Sequence, residues 1–390
     1  MKDDDDWISA TDAQLRLGVR AQTLYAYVSR GHVQVRAHPM DSRRSLYRAA
    51  DVDDLAARKG RSRKLADIAS AAIAWGEPVL SSAITTVSAG RFYYRGRDAV
   101  RLSDDQTLEA IAQLLLGESS MSAGGRARIP PPRHSDLQRR LYHALAERAA
   151  TSSPMLGSSD TLVAAEAVLL LDLMADAVTG ASLPGPIHRR LALAWGADPD
   201  GPTADLIRRI LVLVADHELN ASTFAARVTA STGASLAAAI LSGLSALSGP
   251  RHGGMSAMAR RFAVEAELHG PEEAIRSRLT EGRYLPGFGH PLYPQGDIRA
   301  KALLGRFELP APLAELQAAA KELADTEPNI DFAMMAICKS HDLPVDAPFA
   351  LFTAARSAGW IAHAVEQHQV GKLIRPRARY VGPEPEDVHK

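Results

Sequence analysis

The polar and apolar positions of the first sixty residues follow helical and strand periods in turn. A capping box at Thr11 and Gln14 predicts a first helix that ends before a turn at Gly18. The periods then predict, in order, a second helix, a hairpin and a third helix: 20–30, 32–48 and 51–58. A small compact unit is therefore predicted at the start of the chain.

A charged run, RKGRSRK at 58–64, precedes a region with a different pattern. Residues 78–97 are rich in β-branched and aromatic side chains, which predicts short strands. Apolar residues then recur at helical spacing to the end of the chain, without the strand–helix alternation of an α/β protein. Two helices begin at predicted capping boxes: Ser103 with Gln106, and Ser135 with Gln138. We predict a mainly α protein with domains at 1–60 and 77–390, joined by a linker at 61–76.

Two apolar stretches are long enough to require a membrane check. Residues 162–178 contain Glu166, Asp172 and Asp176, which are costly in lipid. Residues 228–250 carry no charge but are rich in Ser, Thr, Gly and Ala, which let helix backbones approach closely. We predict one buried helix over 228–250, at a subunit contact, and no membrane partner.

Composition and charge narrow the class of protein. Hydrophobic residues make up 46% of the 390 residues and aromatic residues 5%, which suits a helical core. The formal net charge is zero, so there is no overall field to attract nucleic acid or an anionic membrane. The single cysteine, Cys338, forms no internal disulfide, and the acidic N-terminus is unlike a signal peptide. We therefore expect a cytoplasmic protein.

The neutral total hides a basic segment at the start of the chain. Residues 7–64 contain twelve Lys and Arg against five Asp, a net charge of +7. The stretch DAQLRLGVRAQTLYAYVSRGHV resembles the helix-turn-helix of the MerR and excisionase families. The resemblance implies a winged helix-turn-helix that could contact DNA, with Arg20 and Gln22 as base readers and Arg43 and Arg44 on phosphates. The alternative is a head used only for protein contacts.

Residues 285–300, read as LPGFGHPLYPQGDIRA, form the most distinctive segment of the helical region. Gly and Pro predict a shaped loop. His290 can donate a hydrogen bond to a carbonyl oxygen, and Arg299 can clamp a carboxylate. Both side chains on one loop indicate a site for an anionic carbonyl compound, whereas a Gly/Pro surface turn is the alternative. Three more polar clusters interrupt the helices: 216–223, 249–254 and 327–332.

Taken together, these segments resemble the citrate synthase family from about residue 78 to 383. The matching motifs are DHELNAS, GPRHGG, PGFGHPLYPQGDIRA, EPNIDF, AARSAGWIAHAVEQ and RPRARY, in the family's order. The resemblance implies an almost entirely helical fold in which a large and a small domain close over a cleft. The small domain would span about 255–355. It also implies a homodimer that needs no metal and no cofactor other than a CoA thioester as co-substrate.

The resemblance also assigns roles to single residues. The reaction it implies, condensation of acetyl-CoA with oxaloacetate, needs a base and a donor to the developing enolate. Asp331 matches the base, His252 the donor to the thioester oxygen, and His290 the group that polarises the ketone. The remaining matches bind oxaloacetate carboxylates: His217, Arg299, Arg356 and, from the partner subunit, Arg375. The cations of this pocket are expected to favour the ionised form of Asp331.

The chain departs from the family pattern in the CoA region. Pro294 stands where many members have a basic residue that helps to bind CoA, so recognition would rely on the backbone of Leu285, Pro286, Gly287, Phe288 and Gly289. Two further functions stay open. One is 2-methylcitrate synthesis from propionyl-CoA, which differs by one methylene. The other is a DNA-binding metabolite sensor with a synthase fold, although such a sensor would not need Asp331 or His252.

Overall fold

We describe the protein from a computed structural model. It describes residues 6–19, 21–29, 32–38, 41–60, 80–117, 136–378, 380 and 382–383. Arg20 lies outside the described residues, and so do the side chains of Gln22, Arg43 and Arg44.

The first unit consists of a three-stranded antiparallel sheet and three helices. The strands are β1 (Trp7–Ser9), β2 (Val35–His38) and β3 (Asp41–Arg48), in the order β1-β3-β2. The helices are α1 (Ala10–Leu17), α2 (Ala21–Ser29) and α3 (Ala49–Gly60). The predicted hairpin and helices are confirmed, while β1 was not predicted. The N-cap of α1 is Ser9 rather than Thr11, because the Ser9 side chain accepts a hydrogen bond from the Asp12 amide.

A second antiparallel sheet precedes the helical region, as the pattern of residues 78–97 predicted. Its strands run in sequence order: β4 (Thr85–Ser88), β5 (Arg91–Tyr94) and β6 (Arg97–Asp98). Phe92 and Tyr94 on β5 are fully buried. The Tyr94 hydroxyl donates a 2.8 Å hydrogen bond to the Val212 carbonyl, which attaches the sheet to a helix end.

The described part of the remaining chain is helical and confirms the mainly α prediction. Its helices are α4 (Ala99–Leu102), α5 (Leu108–Leu116), α6 (Leu137–Thr151), α7 (Asp160–Thr179), α8 (Ile187–Ala194), α9 (Pro202–Val214), α10 (Ala221–Ser231), α11 (Leu236–Leu247), α12 (Met255–His269), α13 (Pro271–Thr280), α14 (Ile298–Leu304), α15 (Ala311–Ala324), α16 (Ile330–Ser340) and α17 (Ala347–Val370).

Two predicted helix starts and one predicted helix are corrected by the structure. Thr107 caps α5, whereas Ser103 follows the C-terminus of α4, so the predicted box at Ser103 is wrong. Asp136 caps α6, and Ser135 lies outside the described residues. The apolar stretch 228–250 is two helices rather than one. Gly233 adopts a left-handed φ of 81° between them, and Ser235 caps the second. None of the described helices is long and apolar enough to cross a membrane.

The buried apolar side chains of the helical region form two clusters. The larger cluster is built by helices from α4 to α11 together with α14, α16 and α17. The smaller one joins α12, α13, α15 and α16 to the loop residues Leu285 and Phe288. α16 contributes to both clusters, so its N-terminal turn lies between them. The predicted small-domain boundary of about 255–355 stays a prediction.

Candidate active site

The turn 216–220 joins α9 to α10 and is held from two sides. The Asn220 side chain caps α10 by accepting two amide hydrogen bonds of 3.1 Å. Glu218 adopts a left-handed φ of 52°, and its carboxylate accepts a 2.7 Å hydrogen bond from the Val87 amide of β4. The DHELNAS motif therefore builds a fixed turn, and His217 lies buried within it.

His217 is the centre of a group of aromatic rings. Its Nε2 lies 2.8 Å from the Tyr293 hydroxyl, and the His290 ring packs edge-on at a centroid distance of 5.3 Å. Burial lowers the pKa of His217 well below its usual value, and Arg299, His290 and Arg356 add to this effect. His217 is therefore neutral at physiological pH and acts as a hydrogen-bonding group.

The GPRHGG motif forms the tight turn between α11 and α12. A Cβ on Gly253 would lie 2.6 Å from the Leu247 carbonyl oxygen, so only glycine fits this close approach. The turn sets the His252 ring edge-on to Phe352, with a centroid distance of 5.9 Å. Burial lowers the pKa of His252 to about 4, and Arg356 contributes to this shift, so the ring is neutral at pH 7.

The Ser222 hydroxyl lies between His252 and Asn220, the residue that caps α10. The Trp360 indole N–H donates to Ser222 Oγ at 3.1 Å. The hydroxyl then has two acceptors within reach, Asn220 Oδ1 at 2.7 Å and His252 Nε2 at 2.9 Å. If it donates to His252 Nε2, the proton of the neutral imidazole is on Nδ1. Ser222 thus couples the tautomer of His252 to the cap of α10.

The loop 285–290 is tied to the segment that starts α16. The Asn329 amide donates to the Gly287 carbonyl at 2.8 Å, and the Gly289 amide donates to the Glu327 carbonyl at 2.9 Å. Gly287 has a φ of 87°, and a Cβ there would lie 3.1 Å from Phe332 Cβ. His290 Nδ1 accepts from the Leu292 amide at 3.2 Å, which leaves the ring proton on Nε2.

The sequence predicted that the Arg299 guanidinium would be free to bind a substrate carboxylate, but in the structure it is already paired. Its Nε and Nη2 donate to the two oxygens of Asp297 at 3.0 and 2.8 Å, a bidentate pair formed within the buried turn. Asp297 Oδ2 also accepts from the Ile330 amide at 3.0 Å. The pair therefore fixes Arg299 against α16, and only the edge that carries Nη1 is left for a ligand.

Asp331 is the second residue of α16. Its amide donates to the capping Asn329 Oδ1 at 3.0 Å, and its Oδ1 accepts from Ser256 Oγ at 2.6 Å. Burial raises the pKa of Asp331 to about 6, although Ser256, Arg299 and Arg356 oppose the rise. The cations do favour the ionised form, as expected, but desolvation outweighs them and the net shift of the pKa is upward.

One face of α17 packs against the 216–220 turn. Gly359 allows the contact, because a Cβ there would lie 2.4 Å from Asp216 Oδ1. Arg356 is 1% exposed, and its Nε donates to the Val214 carbonyl at 3.0 Å. Its guanidinium also stacks on Phe352 at 4.7 Å, the ring that contacts His252. Among the described residues, the terminal nitrogens of Arg356 donate no hydrogen bond.

Further along the same face, His363 connects Asp216 to Arg227. The Arg227 guanidinium donates to His363 Nδ1 at 3.1 Å, and His363 Nε2 lies 3.2 Å from Asp216 Oδ2. An arginine cannot accept a hydrogen bond, so His363 carries its proton on Nε2 and donates it to Asp216. Burial opposes ionisation of Asp216, but His363 and Arg356 hold its pKa below the usual value.

The structure thus brings six of the seven predicted catalytic and substrate-binding residues into one connected group: His217, His252, His290, Arg299, Asp331 and Arg356. Arg375 is not part of it and is exposed beyond the end of α17. Sequence reasoning missed the roles of Tyr293, Asp297, Ser222 and Ser256. Tyr293 and Asp297 lie in the motif PGFGHPLYPQGDIRA and Ser222 lies in DHELNAS, whereas nothing in the sequence pointed to Ser256. No group of three or more metal-ligating side chains occurs among the described residues.

Comparisons with known proteins identify relatives of this chain. The family description "Citrate synthase, C-terminal domain" matches residues 175–377. A Mycobacterium tuberculosis protein that bears the citrate synthase 2 name is 34% identical over 332 residues, which cover 76% of this chain and 88% of its own. The 2-methylcitrate synthase 2 of Corynebacterium glutamicum is 35% identical over 218 residues, 51% of this chain and 56% of its own.

The fold is also found among solved structures. The citrate synthase of Thermoplasma acidophilum, in a ternary complex with carboxymethyl coenzyme A and oxaloacetate, superposes with a TM-score of 0.66 at 24% identity. The match covers 80% of this chain and 96% of that one. A mainly helical protein with this site and these relatives belongs to the synthases that form a carbon–carbon bond from an acyl thioester. The chain is a member of the citrate synthase family.

Proposed function

We propose that the protein condenses acetyl-CoA with oxaloacetate to give citrate and CoA. The observation that carries the proposal is the convergence of a buried carboxyl group, two neutral histidines and two buried arginines at the junction of the two apolar clusters. A weakly acidic methyl group needs a base with a raised pKa, and the enolate needs hydrogen-bond donors that stay neutral.

Different side chains carry out the successive steps of this reaction. Asp331 removes a methyl proton from the thioester, and His252 donates a hydrogen bond to the thioester oxygen as the enolate forms. This role needs the His252 tautomer protonated on Nδ1, because Nε2 already contacts Ser222 Oγ at 2.9 Å. His290, protonated on Nε2, polarises the ketone of oxaloacetate. As the new carbon–carbon bond forms, the ketone oxygen gains a proton and becomes the hydroxyl of citryl-CoA, which balances the methyl proton taken by Asp331. Water then cleaves the thioester to release citrate and the free thiol.

The charges of the site support a second subunit as the source of a further cation for the substrate. Arg299 is paired with Asp297, and the charge of Arg356 is balanced in part by buried Asp216. One chain thus supplies little net positive charge for a substrate with two carboxylates. The exposed Arg375 would supply the missing cation if it entered the site of the partner subunit in a homodimer. The small-residue helices α10 and α11 are our candidate for part of that contact.

Propionyl-CoA is the alternative acyl donor, because a 2-methylcitrate synthase is among the relatives. One methylene changes the binding free energy by only about 1–3 kcal/mol, so the residues described do not separate the two donors. A thiol-release assay with oxaloacetate and each thioester tests the proposal. We expect a higher kcat/KM for acetyl-CoA, and release with propionyl-CoA alone would favour the alternative. No release with either donor would contradict a synthase and favour the metabolite sensor.

We also propose that the first sixty residues form a winged helix-turn-helix domain that binds DNA. Helices α1 and α2 are joined at Gly18, which has a left-handed φ of 63°, and the β2–β3 hairpin follows as a wing. The net charge of +7 over residues 7–64 supports contacts to phosphates. We expect the protein to act in the cytoplasm, in keeping with its single, buried Cys338.

A further inference from the structure

Ser256 makes a contact that capping of its own helix does not require. It is the second residue of α12, and α12 begins after Gly254 without a side-chain cap. The Ser256 side chain is 3% exposed, and its hydroxyl donates to Asp331 Oδ1 at 2.6 Å. A serine hydroxyl that caps a helix accepts from that helix's own amides. Here it reaches across to α16 instead.

The contact leaves the two oxygens of Asp331 unequal. Oδ1 accepts from Ser256, while Oδ2 accepts no hydrogen bond from any residue in the described ranges. The backbone of Asp331 is fixed as well, because its amide donates to Asn329 Oδ1. The remaining freedom of this side chain is rotation of the carboxyl group, and the Ser256 hydroxyl opposes that rotation.

The charged groups around Asp331 come from the elements that pack on α16. Asp297 and Arg299 lie at the start of α14, Arg356 lies on α17, and α12 contributes the uncharged Ser256. His252, on the loop before α12, is neutral because burial lowers its pKa to about 4. Desolvation and Asp297 favour the protonated carboxyl, whereas Ser256 and both arginines favour the carboxylate.

We propose that Ser256 is a positioning residue for the catalytic base: it holds one oxygen of Asp331 so that the other faces the methyl group of the thioester. The inference rests on the proposed function. In the step concerned, the methyl C–H bond breaks, its electron pair enters the enolate, and the proton forms an O–H bond with Asp331 Oδ2. No further reactant is needed. The Ser256 hydrogen bond stabilises the carboxylate before the step and is weaker once the proton has arrived.

The test compares Ser256→Ala with Ser256→Thr, which keeps the hydroxyl, and with Ser103→Ala. Ser103 is a suitable control because it is a buried serine at the end of α4 whose hydroxyl donates to the Val100 carbonyl at 2.7 Å. kcat and KM are measured from pH 5 to 9 with saturating oxaloacetate and with acetyl-CoA or its methyl-deuterated form. Isothermal titration of oxaloacetate checks that each variant keeps its binding site.

We expect Ser256→Ala to lower kcat at least tenfold while oxaloacetate affinity stays unchanged. The acid limb of the kcat profile should move up by about one pH unit, because the hydrogen bond favours the carboxylate. The deuterium isotope effect should increase as proton removal becomes slower. Ser256→Thr and Ser103→Ala should match the wild type in all three respects.

An active wild type whose acid limb and isotope effect do not change in Ser256→Ala would overturn this assignment and leave the synthase function intact. An inactive wild type would overturn both. If Ser256→Ala fails to fold, Ser256→Cys keeps the volume but donates a weaker hydrogen bond. Its acid limb should then lie between those expected for Ala and wild type, and a wild-type profile would again reject the assignment.

Discussion

Asp331→Asn should abolish most activity and at the same time stabilise the fold. The pKa of Asp331 is raised from 3.8 to about 6, chiefly by burial. A rise of roughly two pKa units corresponds to about 3 kcal/mol by which the folded state disfavours the charged carboxylate at pH 7.5. Asparagine removes the charge and keeps an oxygen that can accept from Ser256.

The sign of this effect predicts its pH dependence. Because the folded pKa lies above the unfolded one, ionisation of Asp331 lowers stability as pH rises from about 4 to about 6. The variant should therefore exceed the wild type in free energy of unfolding by up to about 3 kcal/mol at pH 7.5 and by roughly half of that at pH 5. The corresponding increase in Tm is several degrees at pH 7.5.

Thermal unfolding at the two pH values measures the stability, and thiol release measures the turnover. We expect turnover to fall by about two orders of magnitude or more, the usual scale for a lost catalytic base, while oxaloacetate still binds. Asp346→Asn is the matched control, because Asp346 is exposed at the start of α17 and makes no capping bond. A variant with normal turnover, or one whose Tm difference is the same at both pH values, would refute the reasoning.

Three further results are expected. The glutamine in His363→Gln can accept from Arg227 and donate to Asp216 as histidine does, so this variant should keep its affinity for oxaloacetate, measured by titration. In His363→Leu that affinity should fall by more than about tenfold. Equal losses of affinity in the two variants would reject the His363 tautomer protonated on Nε2. Inactive Arg375→Ala protein mixed with inactive Asp331→Asn protein should regain part of its activity, and no recovery in verified mixed dimers would contradict a shared site. In fluorescence anisotropy the full chain should bind its own upstream DNA with an affinity that falls steeply with salt, and the Arg43→Ala, Arg44→Ala double variant should bind more weakly; an unchanged titration would exclude a DNA-binding wing.

The sequence allowed the helical class, the β2–β3 hairpin of the first unit and the loop around His290 to be predicted, because each has a local cause. Period, capping and the special backbone of glycine act within a few residues. The same locality explains the errors. Ser103 and Thr107 are both suitable caps, but Ser103 ends α4 with its hydroxyl donating to the Val100 carbonyl, whereas Thr107 accepts from the Ala110 amide at the start of α5. The single helix expected over 228–250 was wrong because the turn at Gly233 was overlooked.

At the candidate site, prediction from the sequence was limited by contacts between residues that are far apart in the chain. His217, His252 and Asp331 were found because they stand in motifs, but the groups that tune them come from distant parts of the chain. Asp331 takes its hydrogen bond from a serine 75 positions away. The expected effect of the cations on its ionisation is confirmed, but the net shift of its pKa is upward. Neighbouring cations can be counted from a sequence, whereas the desolvation that outweighs them depends on how completely the folded chain excludes water.

Arg299 shows why the identity of a residue does not determine its availability. An arginine in a Gly/Pro loop fits a carboxylate clamp, and that was the basis for expecting it to bind substrate. In the fold its bidentate edge is used by Asp297, two residues earlier, and Asp297 in turn accepts the amide of Ile330 beside the base. Arg299 is therefore part of the frame that positions α16 as well as a candidate ligand for oxaloacetate. Its replacement would therefore disturb the base and the substrate together.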